Sequence, residues 1–209
     1  MPWLLLFLLA ATLHLFGMTL DLPLLRALCK PLPVLLLWAW LGTQPASVYR
    51  RWVRLGLLAS AVGDALLEWP FQAFVPGLLA FLLAHLAYLA AYLSDSRRPA
   101  WPALGLCALY AGGLFSLLAH HGLGPLTLPV ALYSLAISAM LWRALARLGL
   151  SSVNTQSARL AALGAVLFVG SDSLIGISRF VTPFTGAGYL VMLSYWAGQA
   201  AIARSVRWH

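Results

Sequence analysis

Eight long apolar runs follow one another in this chain, and runs of that length dictate their own solvent. A helix needs roughly 20 mostly apolar residues to cross the ~30 Å hydrocarbon core of a bilayer. Inside that core every backbone N–H and C=O must find a partner within the protein, which leaves helices and closed barrels. The runs at 2–20, 31–44, 52–69, 73–93, 101–120, 126–147, 157–179 and 186–204 are continuous and leucine-rich, without the alternation of barrel strands. They predict an all-α membrane protein, an eight-transmembrane-helix bundle. Turn formers mark the breaks, among them Asp21-Leu22-Pro23, Gln44-Pro45, Trp69-Pro70 and Pro183–Gly186. The second run is short and its upstream boundary is open. Nothing resembling a linker or soluble insert separates the runs, so residues 1–209 read as a single integral membrane domain.

Composition agrees. The chain is 62% hydrophobic and 9% charged, where a soluble domain carries about 25% charged residues. A net charge of +8 would suggest nucleic acid in a soluble protein, but here the arginines stand singly or in pairs between apolar runs. That is the pattern of membrane orientation, and no nucleic-acid partner is expected. Arg50, Arg51, Arg54, Arg97, Arg98, Arg143, Arg147, Arg159, Arg204 and Arg207 sort to the side that holds both termini. Arg26, Lys30 and Arg179 sort to the other. The bias predicts a multi-pass protein with cytoplasmic N- and C-termini, in the cell (inner) membrane if the source is bacterial. The first run has no basic leader or small-residue cleavage site, so it reads as a retained helix. Cys29 and Cys107 lack any metal or redox spacing and read as apolar space-fillers.

Ionisable groups inside a membrane cost on the order of 3 kcal/mol each and are functional candidates by default. The acids are Asp21, Asp64, Glu68, Asp95 and Asp172. Asp95 falls in the Ser94–Arg98 loop and reads as solvated. Asp21 follows the first run on the outer side. Asp64 and Glu68 share one face of the third run at i, i+4 spacing, in its outer half. Asp172 lies toward the outer end of the seventh run, with Arg179 two turns on along the same face. His85 in the fourth run has Tyr88 and Tyr92 at i+3 and i+7, and Tyr195 and Gln199 form a polar pair in the eighth. Together these residues predict a polar cavity open to the outer leaflet, with Lys30 and Arg179 at its mouth.

Plainer explanations stand beside that one. Asp64 and Asp172 fit structural carboxylates paired with a buried Arg or Lys, His85 fits a neutral hydrogen-bonded core residue, and Glu68 fits a side chain reaching the interface. His14, His120 and His121 are not expected to be ligands. Most of the nine tryptophans lie near run ends as interfacial anchors. Gly63-Asp64-Ala65-Leu66-Leu67 echoes Ser171-Asp172-Ser173-Leu174-Ile175 half a chain later, each followed by a Phe, a Gly and a helix bearing His85 or Tyr195. This weak repeat suggests two parallel four-helix halves with a site at their interface.

Five segments resemble the YhhN family of multi-spanning membrane proteins. They are Cys29-Lys30-Pro31-Leu32, Ser60–Leu67, Phe74–Phe81 running into His85-Leu86-Ala87-Tyr88, Gly164–Ser173, and Ser194-Tyr195-Trp196-Ala197-Gly198-Gln199. They occur in the right order over nearly the whole chain, with one mild departure at Trp196, where a second tyrosine is expected. The family includes transmembrane lysoplasmalogenases, so the resemblance implies hydrolysis of the vinyl-ether bond of a lysophospholipid-like, single-chain substrate drawn from the membrane lipids. That chemistry protonates an alkenyl carbon and adds water to the resulting oxocarbenium ion, work that two nearby carboxylates divide into acid and base. On this reading Asp64 and Asp172 are the pair, in either order, with His85 and Tyr88 orienting water or a carboxylate. Lys30 and Arg179 hold the phosphate, with Glu68, Tyr195 and Gln199 completing the substrate site. No cofactor or metal is expected. A zinc amide hydrolase would need more histidines on neighbouring helices, and a proton-coupled transporter using the buried aspartates remains the alternative.

Overall fold

The structure is a computed structural model that describes residues 2–68 and 70–209; Trp69, in the break after the third run, lies outside them. Among the described residues every regular element is helical. In chain order they are α1 (Pro2–Thr19), α2 (Pro23–Cys29), α3 (Leu32–Gly42), α4 (Val48–Leu67), α5 (Phe74–Asp95), α6 (Trp101–His120), α7 (Thr127–Ala146), α8 (Thr155–Gly176) and α9 (Ala187–Val206). A π-helical turn, Ile177–Val181, extends α8. The second apolar run therefore begins at Pro23 and not at 31. Pro31, which has no N–H and whose ring crowds the preceding turn, interrupts it between α2 and α3.

Five described segments are long and apolar enough to cross a membrane: Pro23–Gly42, Phe74–Asp95, Trp101–His120, Gly124–Gly149 and Thr155–Val181. The protein is an integral membrane protein. Large apolar side chains such as Leu5, Leu83, Leu109, Leu135 and Leu193 stand exposed on its flanks, where lipid and not water covers them. Helix α4 misses that apolar threshold because Arg50, Arg51, Arg54 and Asp64 all lie on it.

Two tight hairpins organise the core, α4 with α5 and α8 with α9. Both depend on missing side chains. A Cβ on Gly56 would lie 2.3 Å from the Tyr88 ring, and one on Gly164 would lie 2.7 Å from the carbonyl oxygen of Gly198. A ring can tilt, but a helix backbone cannot retreat alone. Gly164→Ala is therefore expected to destabilise the protein by about 1–3 kcal/mol. Gly112→Ala on α6, where a Cβ meets nothing, should be neutral or slightly stabilising. Thermal unfolding of the two variants in one detergent checks the contrast.

At the end of the bundle that carries His209, Arg147 is fully buried. Its Nε donates to Asp95 Oδ2 at 2.7 Å, Nη1 to the Tyr49 hydroxyl at 3.0 Å and Nη2 to Ser157 Oγ at 3.0 Å. His209 Nε2 meets Asp95 Oδ1 at 2.7 Å and its ring stacks on Tyr49 at 4.4 Å. Asp95 is thus a buried ion-pair partner and not the solvated loop residue its neighbours imply. Its partner arrives from the C-terminal end of α7, which local composition does not register.

Candidate active site

The far end of the bundle gathers Asp64, Glu68 and Asp172 into two clusters and leaves Asp21 exposed, 3.5 Å from Arg26. In the first, Asp172 projects from the last turn of α8 toward α5 and α7. The Tyr133 hydroxyl of α7 donates to Asp172 Oδ2. His85 Nε2 of α5 lies 2.8 Å from the same hydroxyl and 3.4 Å from Asp172 Oδ2. Tyr133 has one proton and gives it to the carboxylate, so the His85 nitrogen it meets must carry a proton of its own. The three side chains form a chain along which a proton can pass. His85 is wholly buried against Phe168, its ring 4.7 Å from that ring, and its Nδ1 has no hydrogen-bond partner among the described residues.

Asp172 opens on a cavity between α5, α6, α7 and α8. Leu67, Phe74 and Phe180 form its rim, and Cys107, Ser138 and Leu141 its deep end. Among the described residues Asp172 is the only charged side chain lining it. The lining on α7 runs from Val130 to Leu141, about 16 Å at 1.5 Å per residue. That is close to half of a ~30 Å hydrocarbon core, the depth one lipid chain occupies. Helix α6 forms the outer wall, packed chiefly on α7 and the π turn and held to α8 by a 2.8 Å hydrogen bond between the Tyr110 hydroxyl and Ser173 Oγ. The exposed Arg179 guanidinium lies 3.8 Å above the Phe74 ring at the rim.

The second cluster lies behind this cavity. Asp64 is buried on α4 and accepts a 2.7 Å hydrogen bond from the Tyr195 hydroxyl of α9. The Tyr88 hydroxyl donates to Gln199 Oε1 at 2.7 Å. Glu68 is also buried, paired with Arg26 at 2.7 Å and Lys30 at 3.3 Å, so it does not reach for the interface. His14 accepts no metal-like company; its Nδ1 meets the Arg26 carbonyl at 3.0 Å. Phe81 and Phe168, 6.1 Å apart, stand between the clusters, and the Tyr195 ring lies 5.3 Å from Phe168.

The expected residues thus gather differently from the expected pair. Among the described residues no hydrogen bond joins Asp64 to Asp172, and Lys30 and Arg179 belong to separate clusters. The two echoing segments exchange partners. Tyr195, near the second segment in sequence, serves Asp64 of the first, while His85, near the first, serves Asp172 of the second. Sequence reasoning missed Tyr133 and the pairing of Arg26. Tyr133 carried a signal, since a hydroxyl in the middle of an apolar run must find an internal partner. Among the described residues no three His, Cys, Asp or Glu side chains approach closely enough to share one metal ion.

Comparison with known proteins adds a lineage. The YhhN family profile matches residues 25–206. A human protein named lysoplasmalogenase TMEM86B is 40% identical over 181 residues, covering 86% of this chain and 74% of its own length. A bovine lysoplasmalogenase TMEM86A is 35% identical over 86% of this chain and 77% of its own. A Mycobacterium tuberculosis lysoplasmalogenase is 41% identical, covering 76% of this chain and 61% of its own length. No solved structure is significantly similar.

Proposed function

From the premise that this chain belongs to the YhhN family, we propose that it is a lysoplasmalogenase, an enzyme that hydrolyses the vinyl ether of a single-chain glycerophospholipid to a fatty aldehyde and a glycerophospho-alcohol. The observation that carries the reading is the position of Asp172, held by Tyr133 and His85 as the charged group on the wall of a cavity one lipid chain deep. The alkenyl chain lies along the cavity toward Cys107 and Leu141, and the glycerol stays at the rim. Protonated Asp172 gives its proton to the vinyl carbon adjoining the chain, leaving an oxocarbenium ion at the ether carbon. The Asp172 carboxylate then takes a proton from water as the oxygen adds to that cation. The hemiacetal collapses to aldehyde and alcohol, so one water is consumed and the acid regenerated. Tyr133 and His85 relay and hold the proton between steps. Asp64 acts across the Phe81–Phe168 layer, where a negative charge in a low-dielectric interior favours the cation. Arg179 at the rim receives the phosphate, while Lys30 compensates charge in the Asp64 cluster.

The arginine bias orients the protein as eight spans forming one membrane domain, termini in the cytoplasm, the cavity rim toward the outer leaflet. The decisive experiment is aldehyde release from lysoplasmalogen by the purified protein in detergent, with an ester lysophospholipid and a chelator in parallel. Aldehyde from the vinyl ether alone, unaffected by chelator, is expected. A folded protein that yields none would overturn the assignment and leave proton-coupled transport as the reading.

The cavity also sets a chain-length preference. Ser138→Phe would fill its deep end, and each methylene kept out forfeits about 0.8 kcal/mol, near fourfold in kcat/KM. The variant should lose activity on long-chain substrate while keeping it on short-chain substrate. A uniform loss across chain lengths would show that the chain does not lie there.

A further inference from the structure

The end of the bundle opposite the cavity rim carries a second concavity that the hydrolysis does not use. A groove lies against the start of α4 and the flank of α3, lined by Trp38, Arg50, Arg51, Arg54, Leu55 and Leu58 among others. Three arginines within little more than one helical turn are unfavourable neighbours unless something negative joins them. Of the other interior cations, Arg26 and Lys30 share Glu68 and Arg147 holds Asp95, while Arg143 is satisfied by the carbonyl oxygens of Ser96 and Arg98. Among the described residues no carboxylate lies within ion-pair distance of these three.

Two of the three side chains, Arg50 and Arg54, are nevertheless held in place. Arg50 Nη1 donates to the Gln44 carbonyl. The Arg54 guanidinium lies over the Trp38 ring, 4.4 Å from its centre. The Nε of each is buried with no acceptor among the described residues. Below them the lining turns apolar through Leu55 and Leu58, and the same exposed ridge of α4 continues to Val62. Leu58 lies about 6 Å further along the axis than Arg54, at 1.5 Å per residue. A cationic ledge directly above an exposed apolar ridge matches a phosphate with hydrocarbon attached to it. A free anion would have no use for the ridge.

We propose that this groove is a binding site for an anionic phospholipid of the leaflet at the terminal end, its phosphate held by Arg50, Arg51 and Arg54 and its chains laid along Leu55, Leu58 and Val62. Such a lipid would be a resident of the protein and not its substrate, since the groove and the cavity open at opposite ends.

The test uses the purified full chain and native mass spectrometry against phosphatidylglycerol, phosphatidylcholine and inorganic phosphate. Phosphatidylglycerol should be retained in preference to phosphatidylcholine. Retention should fall roughly fivefold for each arginine charge removed, read in Arg51→Gln and in Arg50→Gln with Arg54→Gln. Arg51 makes no side-chain hydrogen bond or ion pair among those described, so its variant guards against a folding artefact. The paired control is Arg97→Gln with Arg98→Gln, exposed cations at the same end but outside the groove. Loss in the groove variants with an intact control supports the site. An equal loss in the control would reduce the effect to a diffuse surface field and overturn it. Retention of phosphate equal to that of phosphatidylglycerol would make the ligand a free anion and overturn the lipid assignment.

Discussion

Asp172→Asn is expected to leave a folded protein whose aldehyde release from lysoplasmalogen is about 10²–10⁴-fold slower, the usual worth of a positioned general acid. The amide keeps the size of the carboxyl group and still accepts the Tyr133 hydroxyl hydrogen bond, so unfolding temperature should stay close to that of the wild type. What it cannot do is give a proton to carbon. Tyr133→Phe should cost less, because it removes a partner of the acid and leaves the acid itself. Asp64→Asn should fall between, since Asp64 stands behind Phe81 and Phe168 and is absent from the cavity wall. Equal, non-additive losses for Asp64→Asn and Asp172→Asn would instead show the two carboxylates working as one unit. Full activity in Asp172→Asn would remove the acid from this cavity altogether.

Asp95→Ala should be the most damaging substitution outside that cavity. It strips the carboxylate from Arg147, a guanidinium with no exposure that also holds Tyr49 and Ser157. Removing one member of a buried ion pair costs about 3–5 kcal/mol, because the survivor stays in a low-dielectric interior uncompensated. For a chain of this size that lowers Tm by roughly 10 °C. Replacing both members, Asp95→Leu with Arg147→Met, should recover most of the loss, since an apolar pair of similar volume has no stranded charge. Thermal unfolding of the three variants measures this. A loss under about 1 kcal/mol for Asp95→Ala would return Asp95 to the solvent.

These two predictions differ in how far the sequence foresaw them. Asp172 announced itself because a carboxylate inside a 20-residue apolar run is expensive wherever the run ends up. His85 and Tyr195 were visible for the same reason. Asp95 was hidden, because Ser94-Asp95-Ser96-Arg97-Arg98 has the composition of a solvated loop and its partner Arg147 lies at the end of α7, far off in sequence. Arg26 and Lys30 masked the start of the second apolar run, although Glu68 compensates both.

What the sequence by itself determined is the part of the problem that is one-dimensional. Helicity, the membrane as solvent and the family follow from local runs of residues, each read without knowing its neighbours in space. Partner choice followed from none of them. The separation of Asp64 from Asp172, the exchange that gives Tyr195 to one and His85 to the other, and the cavity behind α6 were decided by packing. Each depends on how the helices are rotated about their axes and which of them touch. Close approaches such as Gly164 to the Gly198 carbonyl set that rotation, and the aromatic wall of Phe81 and Phe168 then fills the space left between the carboxylates. A spacing of i, i+4 says which face a residue occupies, but only a neighbouring helix says what that face meets.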